Sequence, residues 1–109
     1  MIFQTHNQTP DIDINFTNLQ GYVNVSYEVL CALFGEPLDG DGRKTDAEWH
    51  LISVPDGVVA TIYNWKNGRN YLGADGLNFQ DITEWNIGGH SQLAAELVQN
   101  TIKEALEQA

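Results

Sequence analysis

The stretch Glu48-Trp49-His50-Leu51-Ile52-Ser53-Val54-Pro55-Asp56-Gly57-Val58-Val59-Ala60-Thr61-Ile62-Tyr63-Asn64-Trp65 decides the fold. Its two arms are rich in β-branched and aromatic residues. Between them Pro55-Asp56-Gly57 supplies a preset φ early in a turn and a left-handed position late in it, which predicts a β-hairpin. In the first arm Trp49, Leu51 and Ser53 share one face, while His50, Ile52 and Val54 share the other. In the second, Val59, Thr61, Tyr63 and Trp65 oppose Val58, Ala60, Ile62 and Asn64. Both faces carry apolar groups, so one can be covered by helices and the other used for binding.

Beyond the hairpin, Ile82–Ile87 reads as a third strand leading into a Gly88-Gly89-His90 turn. From Ser91, a natural N-cap, Leu93, Ala94, Leu97, Val98, Ile102, Ala105 and Leu106 recur at helical spacing, which predicts a helix over 91–107. Before the hairpin, Tyr22–Phe34 reads as a second helix with Val23, Tyr27, Leu30, Leu33 and Phe34 inward. Gly35 and Pro37 stop it, and the β-branched Val23, Val25 and Val29 count against its first turn. Asn67–Asp81, with three glycines, reads as a loop; residues 1–10 read as a loose N-terminal segment, and Asp11–Phe16 alternates weakly like a short edge strand. The expected fold is α+β, one small domain over residues 1–109, with a three-stranded antiparallel sheet packed against two helices.

The net charge is −10, from 15 Asp and Glu against 5 Lys and Arg. Charged residues make up 18% of the chain, below the roughly 25% usual for soluble proteins, so the imbalance reflects scarce bases rather than surplus acids. Acids outnumber bases eight to two in residues 1–54 and seven to three in residues 55–109, so there is no acidic tail. Such a field repels nucleic acid and anionic membranes and speeds encounter with basic proteins. No apolar run is long enough to span a bilayer, and the opening residues lack a signal-peptide pattern. With the single Cys31, these features lead to an expectation of a cytoplasmic protein.

Catalytic chemistry finds no motif. The loop Asp39-Gly40-Asp41-Gly42-Arg43-Lys44-Thr45-Asp46-Ala47-Glu48 alternates acids with glycines, but a calcium loop starting at Asp39 would put Arg43 at a ligand position and His50 where a bidentate Glu belongs. His6, His50 and His90 stand in no zinc-binding spacing, and Cys31 has no C-x-x-C partner. Neither a metal nor a cofactor is expected, and no catalytic residue is assigned. Gly88-Gly89-His90-Ser91 could seat an anion at a helix start, or simply turn the chain. Trp49 and Trp85 read as core, while Tyr71, in the Gly-rich loop beside Arg69, is the best exposed aromatic. The residues expected at a partner contact are Asp39, Asp41, Asp46 and Glu48, the densest acidic stretch, together with Tyr71 and Asp75.

The segments Leu33-Phe34-Gly35-Glu36-Pro37, Glu48-Trp49, Ile62-Tyr63-Asn64-Trp65-Lys66 and Trp85-Asn86-Ile87-Gly88-Gly89-His90 together resemble a pattern in small bacteriophage-encoded accessory proteins, over about residues 20–100. The resemblance implies an inhibitor of host defence, such as an anti-CRISPR protein, that occupies a nucleic-acid-binding surface of its target. The expected function is therefore an acidic protein-binding module, not an enzyme, docking on a basic host protein or ribonucleoprotein. A protein that sequesters a small ligand or nucleotide is the alternative, and a phage-particle component or homodimer subunit is a third reading.

Overall fold

The computed structural model describes residues 1–54 and 56–108. Pro55, the expected opening residue of the hairpin turn, lies outside them. The strands are β1 (Phe3–Thr5), β2 (Asn18–Asn24), β3 (Glu48–Ser53), β4 (Val59–Tyr63) and β5 (Glu84–Gly89). The α-helices are α1 (Tyr27–Phe34), α2 (Arg69–Leu72) and α3 (Gln92–Glu107). The fold is a small α+β domain whose antiparallel sheet has the order β1-β3-β4-β5-β2.

The hairpin forms as its sequence predicts, with Ile52 opposite Val59 and Gly57 at φ 72°. Ser53 closes it: its backbone N–H donates to the Val58 carbonyl at 2.9 Å and its hydroxyl accepts from Val58 N–H at 2.8 Å. Around it the sheet is larger than the expected three strands. The N-terminal segment is not loose, because Phe3 and Thr5 are buried and pair with Ser53 and Leu51 across the β1–β3 edge. Asp11–Phe16 is not a strand. The expected helix over 22–34 divides: its first residues belong to β2, which pairs with β5, and α1 starts only at Tyr27. Ser26 marks the change, accepting a hydrogen bond from Val29 N–H at 3.1 Å as an N-cap. The β-branched Val23 and Val25 suit the pleat better than a first helical turn.

All helical burial lies on one face of the sheet. Leu30 and Phe34 of α1, and Ala94, Ala95, Val98 and Ile102 of α3, pack against Phe3, Trp49, Leu51, Ile62, Trp85 and Ile87. The stretch 67–81 is not structureless; it holds α2 and two 3₁₀ turns, Gly73–Asp75 and Phe79–Asp81.

Gly88 and Gly89 belong to β5 rather than to a turn, and this fixes how closely α3 can approach. A Cβ on Gly89 would lie 2.3 Å from the Cβ of Ala94, an overlap with no flexible side chain to absorb it. Gly89→Ala is therefore expected to lower stability by roughly 2 kcal/mol, the usual scale of overpacking. Urea unfolding measures this, and an unchanged midpoint would contradict the close helix–sheet contact.

Candidate binding face

With both packing helices on one side, the alternation of the strands sends every second residue to a face that no helix covers. Cross-strand register builds one continuous row there: Glu48 opposite Tyr63, Tyr63 opposite Asn86, and Asn86 opposite Tyr22. A second row runs His50, Thr61, Gly88 and Leu19. Gly88 is needed in it, since a Cβ would lie 2.5 Å from Thr61 Oγ1 and 3.5 Å from the Tyr63 ring. The absent side chain makes room for the Thr61 hydroxyl, with the Tyr63 ring at ordinary contact distance; the Tyr63 phenol pKa is pushed up chiefly by burial, with hydrogen bonding to Asn86 opposing the shift.

Trp65 follows β4 and meets Tyr63 edge-on, with ring centres 6.1 Å apart. Lys66, at φ 62°, turns the chain so that its own N–H donates to the Lys44 carbonyl at 2.8 Å. The two ammonium groups then lie over the Trp65 ring, Lys44 Nζ at 5.4 Å and Lys66 Nζ at 5.6 Å, and Lys66 also lies 5.4 Å from the Tyr71 ring. Leu19, Tyr22, Tyr63, Trp65 and Asn86 line a cleft of about 460 Å³. Clefts on either side share Trp65: one reaches Asn24, Asn67 and Glu84, the other Thr17, Asp41 and Glu48. Tyr22 is 64% exposed and Trp65 44% exposed, large values for rings on a sheet.

The border carries one further aromatic. Phe16 is 91% exposed and sits at φ 65°, a left-handed conformation unusual for a bulky residue. The turn is held by Thr17, whose N–H and hydroxyl both donate to the Ile14 carbonyl, and by Asn15 N–H donating to Asp13 Oδ1 at 2.9 Å.

The six residues expected from sequence divide. Asp41 is a local fastener: its Oδ1 accepts from the N–H groups of Arg43, Lys44 and Thr45 at 2.8, 2.8 and 3.0 Å. These bonds, that from Thr45 first, hold its carboxyl down at about 2. Asp46 turns inward, accepting from Asn64 Nδ2 at 3.0 Å and Asn70 N–H at 3.1 Å. Glu48 stands in the Tyr63 row, with Oε2 2.7 Å from His50 Nε2. Tyr71 joins Trp65 through Lys66, while Asp39 and Asp75 are exposed outside the row. In Gly88-Gly89-His90-Ser91 both glycines pair in the sheet rather than making a turn, and the Ser91 side chain makes no cap bond. Sequence reasoning missed Leu19, Tyr22 and Asn86 because the face exists only once β2 is recognised as a strand. Phe16 carried no signal at all.

Among the described residues the lone contact between a basic side chain and a carboxylate is His50–Glu48, and no Lys or Arg forms a salt bridge with a carboxylate. The negative charge is thus uncompensated by close internal pairs. No described helix is long and apolar enough to cross a membrane. Comparison of the chain with protein-family models, with curated proteins and with solved structures finds no match.

Two outcomes follow from this geometry. Phe16→Gly relieves the left-handed strain and is expected to raise stability by about 1 kcal/mol, measurable in thermal unfolding; a loss would mean that the ring packs in the fold. Because the folded Asp41 carboxyl titrates below its ordinary 3.8, its support of the 41–45 turn is complete above about pH 4 and lost as pH falls through about 2. Carboxyl NMR should give a midpoint near 2 with Thr45 N–H losing protection in step, and a midpoint near 4 would refute the fastening role.

Proposed function

We propose that the protein is an acidic protein-binding module that docks its open sheet face on a basic surface of a partner protein. The observation that carries this reading is the combination of a −10 chain, whose carboxylates make no salt bridge with Lys or Arg among the described residues, with an aromatic sheet face that no helix covers. Protein interfaces favour this composition, with aromatic rings and few charges at the centre and polar groups at the rim. Tyr22, Tyr63 and Trp65 supply the centre; Glu48 and Glu84 stand at its edge. The resemblance to phage accessory proteins supplies the class of partner: a nucleic-acid-binding surface of a host defence protein, such as a CRISPR effector, where an acidic module competes for a site built for phosphates.

A specific observation favours a second reading. Lys44 and Lys66, two of five bases, converge on the exposed Trp65, an arrangement able to stack a nucleotide base and meet its phosphates. Thermal shift against a nucleotide panel tests it, and no shift at millimolar ligand would end it.

For the first reading, binding to purified candidate effector complexes is measured across salt. Affinity is expected to fall about tenfold or more between roughly 0.1 and 0.5 M salt as screening shortens the reach of the field. An affinity indifferent to salt would reject electrostatic docking.

A further inference from the structure

We infer that the open sheet face is a guanidinium-recognition surface, taking an extended, arginine-bearing segment of a protein partner across the row Glu48, Tyr63, Asn86 and Tyr22. The inference rests on the protein-binding reading and specifies its site and the chemistry of its occupant.

Three features of the face converge on that chemistry. The first is its rings. Tyr22, Tyr63 and Trp65 present aromatic surface to one cleft, and planar guanidinium groups stack on such surfaces more effectively than ammonium groups do. The Trp65 ring is engaged by the chain's own Lys44 and Lys66, so Tyr22 and Tyr63 are the rings left for a partner's guanidinium, with Trp65 beside them.

The second is the placing of acceptors. Glu48 stands at one end of the row, and Glu84 lines the adjoining cleft with Tyr22, Asn24, Trp65 and Asn86. The Asn24 and Asn86 side chains add carbonyl oxygens, and a guanidinium stacked on a ring presents its N–H groups at its edge, where such acceptors stand. No Lys or Arg belongs to the two cross-strand rows, so a partner's cation there displaces no internal one.

The third is charge complementarity. A −10 chain whose described carboxylates make no Lys or Arg salt bridge attracts a cationic segment and repels a phosphate-bearing one. The two lysines sit on the Trp65 side of the face and mark its boundary.

The molecule carries its own reporter for the test. Trp49 and Trp85 are buried, whereas Trp65 is 44% exposed and is the tryptophan most open to a ligand on this face; Trp65→Phe separates its emission from that of Trp85, which lines the adjoining cleft. The probe is a capped octapeptide of alternating Arg and Ala. Its Lys–Ala counterpart and an eight-residue oligothymidylate serve as comparisons, with affinity from calorimetry and Trp65 emission recorded in parallel.

The Arg peptide is expected to bind, to shift Trp65 emission and to bind more tightly than the Lys peptide. Tyr22→Ala and Glu84→Gln, both at exposed positions, are each expected to weaken it about five- to tenfold, the scale of one lost cation–aromatic or charge-assisted contact. Salt-dependent binding that leaves Trp65 emission and both variants unchanged would overturn the face assignment while leaving the acidic binding module standing. No binding of the Arg peptide at millimolar concentration would overturn the inference; the salt series on effector complexes would then judge the broader reading by itself. Oligothymidylate binding with a Trp65 response, in place of the Arg peptide, would overturn it in favour of an anionic ligand.

Discussion

The architecture depends on two indole N–H groups. Trp49 Nε1 donates to the Gly35 carbonyl at 2.8 Å and Trp85 Nε1 to the Val25 carbonyl at 3.0 Å. Those carbonyls lie just beyond the two ends of α1, so the short helix is pinned at both ends by tryptophans of β3 and β5, the strands on either side of β4. The two rings meet edge-on, 5.4 Å apart at 75°, and Tyr27 packs against both. An eight-residue helix has little stability of its own, and packing must supply it. Buried indoles need acceptors, and α1 needs anchoring; each requirement meets the other. Because the clamp and the contact surface of α3 lie on the same side, the other side of the sheet is left without a helix, bordered instead by the segment holding Ile14 and Thr17.

The uncovered side is bordered by loops that a second buried group holds in place. Asn64 is fully buried; its carbonyl accepts from the N–H groups of Asp46 and Ala47, and its amide donates to Asp46 and Asn67. This one side chain ties the 39–48 loop to the segment carrying Trp65, Lys66 and α2. The acids here serve different ends. Asp41 and Asp46 spend their oxygens on backbone and amide groups, which orders irregular chain without regular hydrogen bonding. Glu48 and Glu84 face the clefts instead. What reads in the sequence as one acidic stretch is therefore partly scaffold and partly surface.

The sequence made the parts with strong periodicity legible: the hairpin, the third strand to within two residues, α3, and the burial of Trp49 and Trp85. It hid the parts whose conformation is decided by distant partners. Phe3–Thr5 is too short to show alternation and becomes a strand only because β3 offers an edge. Asn18–Asn24 contains Gly21 and Tyr22 in a stretch that also fits a helix, and pairing with β5, more than sixty residues away, settles it. Gly88-Gly89 looks like a turn, yet these glycines sit in the strand at tight contacts, Gly89 under Ala94 and Gly88 beside the Thr61 hydroxyl. Of the residues named from sequence, Glu48 lies in the row and Tyr71 beside Lys66 at its border, while the row itself requires the register of four strands.

The sheet order has a consequence for how the chain reaches this state. β3, β4 and β5 follow one another and pair as a meander, whereas β1 and β2, both within the first 24 residues, close its two opposite edges. During synthesis β1 and β2 leave the ribosome before the strands they pair with, and wait for docking sites that do not yet exist. β2 cannot complete its pairing until β5 has been made, and such long-range closure is the slow kind. Tyr22 and Leu19 therefore join the face late, so the surface proposed for the partner is completed only when the last stretch of sheet has formed.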